Sequence, residues 1–212
     1  MTAPLVIAID GPTAAGKGTL ARGLAERLGL RHLDSGMLYR ATAARLLAAG
    51  GDPGDAAAAA ACARDLDAGD LDRDNLRQEV VGKAASQVAA YPDVRQALLA
   101  FQRVFAAELP GAVIDGRDIG TVVCSDATVK FFVTADQLSR VERRYLELKQ
   151  RDASVDRDQV AADLAARDRQ DTERATAPLR QAEDAILLDT SQMDADQALE
   201  AALTLVDQQL NP

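Results

Sequence analysis

Apolar positions fall along this chain in short blocks of two kinds. Leu5–Ile9 is a continuous apolar run, the signature of a strand buried on both faces. Leu20, Leu24 and Leu28 then recur at helical spacing, and the pattern stops at Gly29. Arg31–Asp34 reads as a second strand, and Gly36–Ala48 as a helix ended by Gly50 and Gly51. Asp52 and Pro53 predict another helix start, with Asp as the cap and Pro in the first turn, continued by Ala56–Ala61. Leu76, Val80, Val81, Ala84 and Val88 mark a further amphipathic helix. Pro92 interrupts, and Val94, Leu98, Leu99, Phe101 and Phe105 mark the next. Ala112–Asp115 and Val129–Val133 are two more apolar runs of strand length. Thr134 and Gln137 have capping-box spacing ahead of a helix over 137–151. A helix over 156–169, a strand at Ala185–Leu188 and a helix at Asp194–Leu210 complete the pattern.

Buried strands alternating with helices predict an α/β fold, a five-stranded parallel sheet with right-handed crossovers and helices on both faces. Ligands in such sheets bind beyond the carboxyl ends of the strands. That places 11–19, 34–36, 115–118 and 189–190 at the expected ligand edge. Two helical excursions interrupt the alternation, one from about Tyr39 to Leu109 and a charged one from about Arg143 to Pro178.

The first of these edges carries the sharpest chemistry. Gly11-Pro12-Thr13-Ala14-Ala15-Gly16-Lys17-Gly18-Thr19 joins the first strand to a helix, the arrangement of a phosphate-binding P-loop. Glycines let backbone N–H groups converge on phosphate oxygens, the helix adds its positive end, and Lys17 brings a point charge. The usual Ser or Thr after the lysine is replaced by Gly18, with Thr19 one place later; nucleoside monophosphate kinases use this form. Val113-Ile114-Asp115 leads into Gly116-Arg117-Asp118, and an apolar strand ending in an acid suits magnesium. Arg117 and Asp118 could instead pair and close a turn. Asp34-Ser35-Gly36 with Arg40 could fix a phosphate or sugar, although Ser35 could equally be an ordinary cap. Arg167, Asp171 and Arg174 lie in a mixed-charge stretch that suits either a lid over phosphates or a solvated helix face.

Composition narrows the field. The 212 residues suffice for one domain with a real core. Aromatics are only 3% and Trp is absent, so the core must be aliphatic and alanine-rich. A formal charge of −9 argues against a broad nucleic-acid surface, so an anionic ligand must be met by local arginines. Two cysteines without metal spacing read as free thiols of a reducing compartment. The lone histidine, His32, reads as structural. With no leader and no segment long enough to span a membrane, a cytoplasmic protein is expected.

Together the segments resemble the cytidylate kinase family. The resembling pieces are GPTAAGKGT at Gly11–Thr19, LDSGMLYR at Leu33–Arg40, ASQVAAYPDVRQALL at Ala85–Leu99, DGRDIGTVV at Asp115–Val123 and RDRQDTERATAPL at Arg167–Leu179. They span nearly the whole chain. The resemblance implies phosphoryl transfer from ATP to CMP or dCMP with Mg²⁺, usually by a monomer. It implies a P-loop core (1–38, 110–142, 179–212), a nucleoside-monophosphate-binding insert (39–109) and a lid (143–178). Gly11–Thr19 would hold ATP, with Thr19 and Asp115 at the metal. Ser35, Arg40 and Arg117 would lie at the acceptor phosphate; Ser86, Arg95 and Asp118 would read cytosine; Arg167 and Asp171 would hold the sugar. Lys17, Arg117 and Arg174 would stabilise the transferred group, and Arg143 and Arg144 would reach ATP from the lid. The stretch between Leu66 and Ala85 is shorter than in many relatives, and Gln170 and Thr172 stand where relatives often carry arginine. The base assignment agrees with cytosine's N4 donor and its N3 and O2 acceptors. The alternatives are a kinase for another small acceptor, such as UMP, AMP or shikimate, and a P-loop module that binds ATP without transfer.

Overall fold

The computed structural model describes residues 3–71, 74–150 and 152–211. Among them five parallel strands form one sheet: β1 (Leu5–Asp10), β2 (Arg31–Asp34), β3 (Gly111–Gly116), β4 (Val129–Thr134) and β5 (Ile186–Asp189), in the spatial order β2-β3-β1-β4-β5. β3 is buried along its whole length and β1 over its last four residues, as central strands with helices on both faces must be. The register pairs Asp10 with Gly116 and Asp34 with Asp115, so the strands end at one edge and deliver their acidic residues there.

The two sheet faces carry separate cores. On one, Ile7, Ile9 and Phe131 pack against α1 (Lys17–Leu28) and α9 (Ala195–Leu210) through Leu20, Leu24, Ala202 and Val206. On the other, Ala8 and Ile114 meet α2 (Ser35–Ala48), α3 (Ala56–Arg64), α4 (Ala68–Leu71), α5 (Glu79–Val88) and α6 (Pro92–Ala107). Alanines at 41, 43, 44, 59, 60 and 63 are buried there, and their small side chains let α2 and α3 approach closely. Phe131 is a fully buried aromatic, consistent with an aliphatic core. α7 (Gln137–Lys149) and α8 (Arg157–Glu173) form a third, small cluster through Val141, Val160 and Leu164.

Several local expectations are corrected. Asp55, not Asp52, caps α3, accepting from the Ala57 and Ala58 amides, while Asp52 and Pro53 make a preceding turn. α7 is capped by Asp136, whose carboxylate accepts from the Ser139 amide, so the Thr134–Gln137 box is not used. That helix ends at Lys149, and Arg151 lies outside the described residues. α8 runs to Glu173, past the expected Arg169. Val80 and Phe101 are 59% and 46% exposed, so neither belongs to the core stripe assigned to its helix. No helix among the described residues is long and apolar enough to cross a membrane.

Candidate active site

The P-loop bends where glycine alone fits. Gly11 has φ +148°, and a Cβ there would lie 1.9 Å from the Val133 carbonyl oxygen. Gly16, at φ +88°, opens α1. Lys17 folds back so that Nζ donates to the Pro12 carbonyl at 2.6 Å. A cleft of about 270 Å³ opens beside it, walled by the phosphate loop, by the ends of β2 and β3, by α2, α5 and α6, and by α7 and α8.

Its floor is an ion network. Arg117 donates from Nε to Asp171 Oδ2 at 2.7 Å and from Nη2 to Thr13 Oγ1 at 2.7 Å. Arg95 pairs with Asp118 Oδ2, and Arg174 Nη2 lies 3.6 Å from Asp118 Oδ1. Arg174 Nη1 is 3.9 Å from Asp171 Oδ1. The Arg95 guanidinium also sits 5.5 Å from the Tyr39 ring centroid. Arg117 and Asp118 thus have different partners, so a mutual turn-closing pair is not what they form. Asp171 and Arg174 are buried in the network while Arg169, Thr172 and Glu173 face solvent, so this end of α8 is more than a solvated face.

Positive charge exceeds what these acids neutralise. Burial and then the Arg117 charge push Lys17 down to about 7. The same two causes push Arg167 down to about 10, and burial followed by Arg95 lowers Arg174. Arg167 Nε and Arg174 Nη2 are buried without a hydrogen-bond partner. Buried donors in this state favour an anionic ligand, which would satisfy them and relieve the crowding.

The comparisons with known proteins agree with this geometry. The family model described as cytidylate kinase matches residues 7–208. The chain belongs to the cytidylate kinase family. It is 53% identical over 203 residues to the cytidylate kinase of Bradyrhizobium sp. (strain ORS 278), covering 96% of each chain. It is 56% identical over 210 residues to that of Acidiphilium cryptum (strain JF-5), covering 99% of each. A crystal structure of an uncharacterized protein from Eubacterium ventriosum shares the fold, with TM-score 0.58 over 96% of this chain and 98% of that one, at 16% identity.

Most residues expected at a cytidylate kinase site do line this cleft. Thr13, Ala14, Lys17, Gly18, Ser35, Arg40, Ser86, Arg95, Asp115, Arg117, Asp118, Arg167, Asp171 and Arg174 all reach it. Arg40 is held by the Leu76 carbonyl at 2.8 Å and passes over Gly82, where a Cβ would lie 3.0 Å from Nη2. Ser35 lines the wall, but its hydroxyl already donates to the Asp115 carbonyl at 2.8 Å.

Gly16 and Thr19 are not part of it. They line an adjoining groove with Arg143, Thr190 and Met193. Thr19, expected beside Asp115 at a metal, thus stands apart from Asp115 in this structure. Because Gly18 follows Lys17, it is Gly18 that faces the Asp115 carboxylate, at 3.8 Å from its would-be Cβ. Thr19 is a further 100° around the helix and exposed. The two arginines expected to reach ATP from a lid also part: Arg143 bonds to Thr190 at the groove, while Arg144 lines the main cleft. Gly11, Pro12 and Ala15 shape the loop from behind.

Asp115 fits a magnesium ion. Its carboxylate is held by His32 Nε2 at 2.8 Å, and the Asp34 carboxyl ends the neighbouring strand in register. Burial and then the Asp115 charge raise the Asp34 pKa, a strain that a hard cation would relieve. Among the described residues no point gathers three His, Cys, Asp or Glu, so phosphate oxygens and water would complete the shell. Asp34, expected at the ligand edge, lines the cleft; the lining side chains given no role in sequence were Tyr39 and Glu147. Tyr39 lies inside the LDSGMLYR segment, whereas Glu147 had no readable signal.

Proposed function

We propose that this chain transfers the γ-phosphoryl group of ATP directly to CMP and dCMP. Family membership gives the reaction class. The observation that carries the acceptor is the buried Arg95–Asp118 pair facing the cleft, with Arg174 on the second oxygen of Asp118. A carboxylate at Asp118 accepts from the N4 amino group of cytosine, and the Arg95 guanidinium donates to N3 or O2. Uracil presents a carbonyl in place of the amine, leaving both groups unpaired in a buried site, a mismatch worth about 10⁴-fold in discrimination.

Each step rests on positioning and charge. The loop 11–19 and Lys17 hold the triphosphate, with the adenosine end directed to the groove of Gly16, Thr19 and Arg143. Arg40 and Arg117 grip the acceptor phosphate, Ser86 assists at the base, and Arg167 and Asp171 hold the sugar. Arg117 touches Thr13 of the loop and Asp171 of the lid, so it spans donor and acceptor sides. Lys17, Arg117 and Arg174 offset the charge that builds on the transferred group. Asp115 would hold magnesium, which supplies further charge neutralisation when bound. The α7–α8 pair acts as the lid: Arg140 donates to both Asp168 and the Thr13 carbonyl, tying it to the phosphate loop. A coupled ADP-release assay with ATP, Mg²⁺ and each of CMP, dCMP, UMP and AMP tests this reading. Turnover with CMP and dCMP but little with UMP is expected; turnover with UMP or AMP alone would discard the roles of Asp118 and Arg95.

A further inference from the structure

Asp10 closes β1, one residue before the phosphate loop, and is 4% exposed. Its two oxygens are used separately. The Ile119 amide donates to Oδ1 and the Gly120 amide donates to Oδ2, each at 2.7 Å. Those amides open a wide turn, Ile119–Val123, that begins directly after Asp118. Inside the turn the Val122 and Val123 amides return to the Asp118 carbonyl, and Cys124 to that of Ile119, so its first amides have no partner within the turn. A Cβ on Gly120 would sit 3.4 Å from Asp10 Oδ2 and 3.2 Å from Lys130 Cδ, so the two segments meet closely. Two adjacent donors meeting both oxygens of one group demand a carboxylate; an amide has one acceptor, and its NH₂ would face an N–H. Burial pushes the Asp10 carboxyl up to about 6, while the two amides act to lower it, which leaves it charged at neutral pH.

We propose that Asp10 is a positioning residue for acceptor specificity: by clamping the Ile119 and Gly120 amides it fixes the backbone that aims Asp118 at the nucleobase. The proposal rests on the reading that Asp118 faces cytosine. Asp118 itself sits at φ −146°, ψ 27°, with its carboxylate held between Arg95 and Arg174 from other elements. Those two arginines hold the side chain and Asp10 holds the main chain behind it. Losing the clamp lets the turn shift relative to the arginines, and a misplacement of about 1 Å at a hydrogen-bonded site is enough to cost about 10²-fold. The hydrogen bonds of the carboxylate go to the acceptor side. The donor-side Lys17 donates to Pro12 and meets Asp10 only through a coulombic interaction, the smallest of the causes acting on either group.

The test compares Asp10→Asn with Asp118→Asn, each checked for folding by thermal melting. For Asp10→Asn the expected result is a KM for CMP raised about 10-fold or more and a CMP-over-UMP preference in kcat/KM reduced by a similar factor. The KM for ATP should stay within about 3-fold. Hydrogen exchange at the Ile119 and Gly120 amides should quicken while sheet amides keep their protection. A merely structural role would lower the melting temperature and leave the CMP-over-UMP ratio where it was. That result, or equal losses for ATP and CMP, overturns the proposal. Where Asp10→Asn does not fold, Asp10→Ser repeats the comparison. If Asp118→Asn leaves CMP binding intact, the reading of Asp118 fails and the proposal falls with it. If Asp118→Asn loses CMP selectively and the Asp10 variants do not, the reading stands and the proposal alone is wrong.

Discussion

Binding of ATP should draw a proton out of solution, and Lys17 is the reason. Nζ lies in a buried position 2.6 Å from the Pro12 carbonyl, and burial together with Arg117 pushes its pKa from 10.5 to about 7. At pH 8 the free protein therefore carries this proton in only about a tenth of its molecules. A triphosphate in the loop sets several negative charges against Nζ and raises its pKa. A group whose pKa rises on binding takes up protons at pH values above its free pKa, here above about 7. Uptake at pH 8 can then reach about 0.9 proton per site, the fraction left unprotonated in the free protein. The nucleotide contributes almost nothing, since the second phosphate pKa is about 6. Arg167, at about 10, is already charged. The same depression makes the buried ammonium unfavourable in the free protein. That penalty is full below pH 7 and is relieved as the pH rises toward 10.5. Titration calorimetry of ATP at pH 8, without acceptor, in buffers of different ionisation enthalpy measures the uptake directly. Lys17→Arg keeps its charge at this pH, so its uptake should fall close to zero. No uptake by the natural chain, or equal uptake by both, would refute the reasoning.

Asp118→Asn should raise the KM for CMP far more than that for ATP; equal losses in steady-state assays would move Asp118 to the metal or donor side. Asp115→Asn should raise the Mg²⁺ concentration needed for half-maximal rate about 10-fold or more, while Thr19→Val changes it little, because Thr19 faces the other groove. A larger effect at Thr19 in a magnesium titration would reverse that assignment. Gly11→Ala forces a Cβ to 1.9 Å from the Val133 carbonyl at φ +148° and should destabilise the fold by about 3 kcal/mol or more. An unchanged denaturant midpoint would show that the loop can rearrange at little cost.

Most of the sheet was legible because β1, β3, β4 and β5 are apolar runs of strand length, whereas β2 carries Leu33 as its one aliphatic residue. The ends of helices were less so. Asp52 and Asp55 both have capping chemistry, and only the chain path decides that Asp55 receives the Ala57 and Ala58 amides. The same holds for Thr134 and Asp136, where the carboxylate two residues on outcompetes the hydroxyl. Site residues read well where one short segment carries the chemistry, as in Asp115 to Asp118. They read poorly where the function is a relation between segments. His32 looked structural by composition, and it takes the parallel pairing of β2 with β3 to bring its ring onto Asp115. Thr19 was placed by motif alone, and one residue along a helix turns its side chain to the adjoining groove.

The acids of the cleft explain how so many arginines can wait there. Arg95, Arg117 and Arg174 converge beside Lys17 and Arg167, and without counter-charge each would be a buried, unpaired cation. Asp118 and Asp171 hold them in the ligand-free protein, each carboxylate shared between two arginines. Sharing leaves donors over: Arg167 Nε has no hydrogen-bond partner, and Arg174 Nη2 has only its 3.6 Å ion pair with Asp118. A nucleotide that brings phosphate oxygens to those donors need not break the pairs that already hold the arginines, so the frame is set before binding and the ligand completes it. A chain with a net charge of −9 can therefore attract an anion, because a cluster of its positive charge is fixed where phosphates arrive while most of its acids lie on the outside.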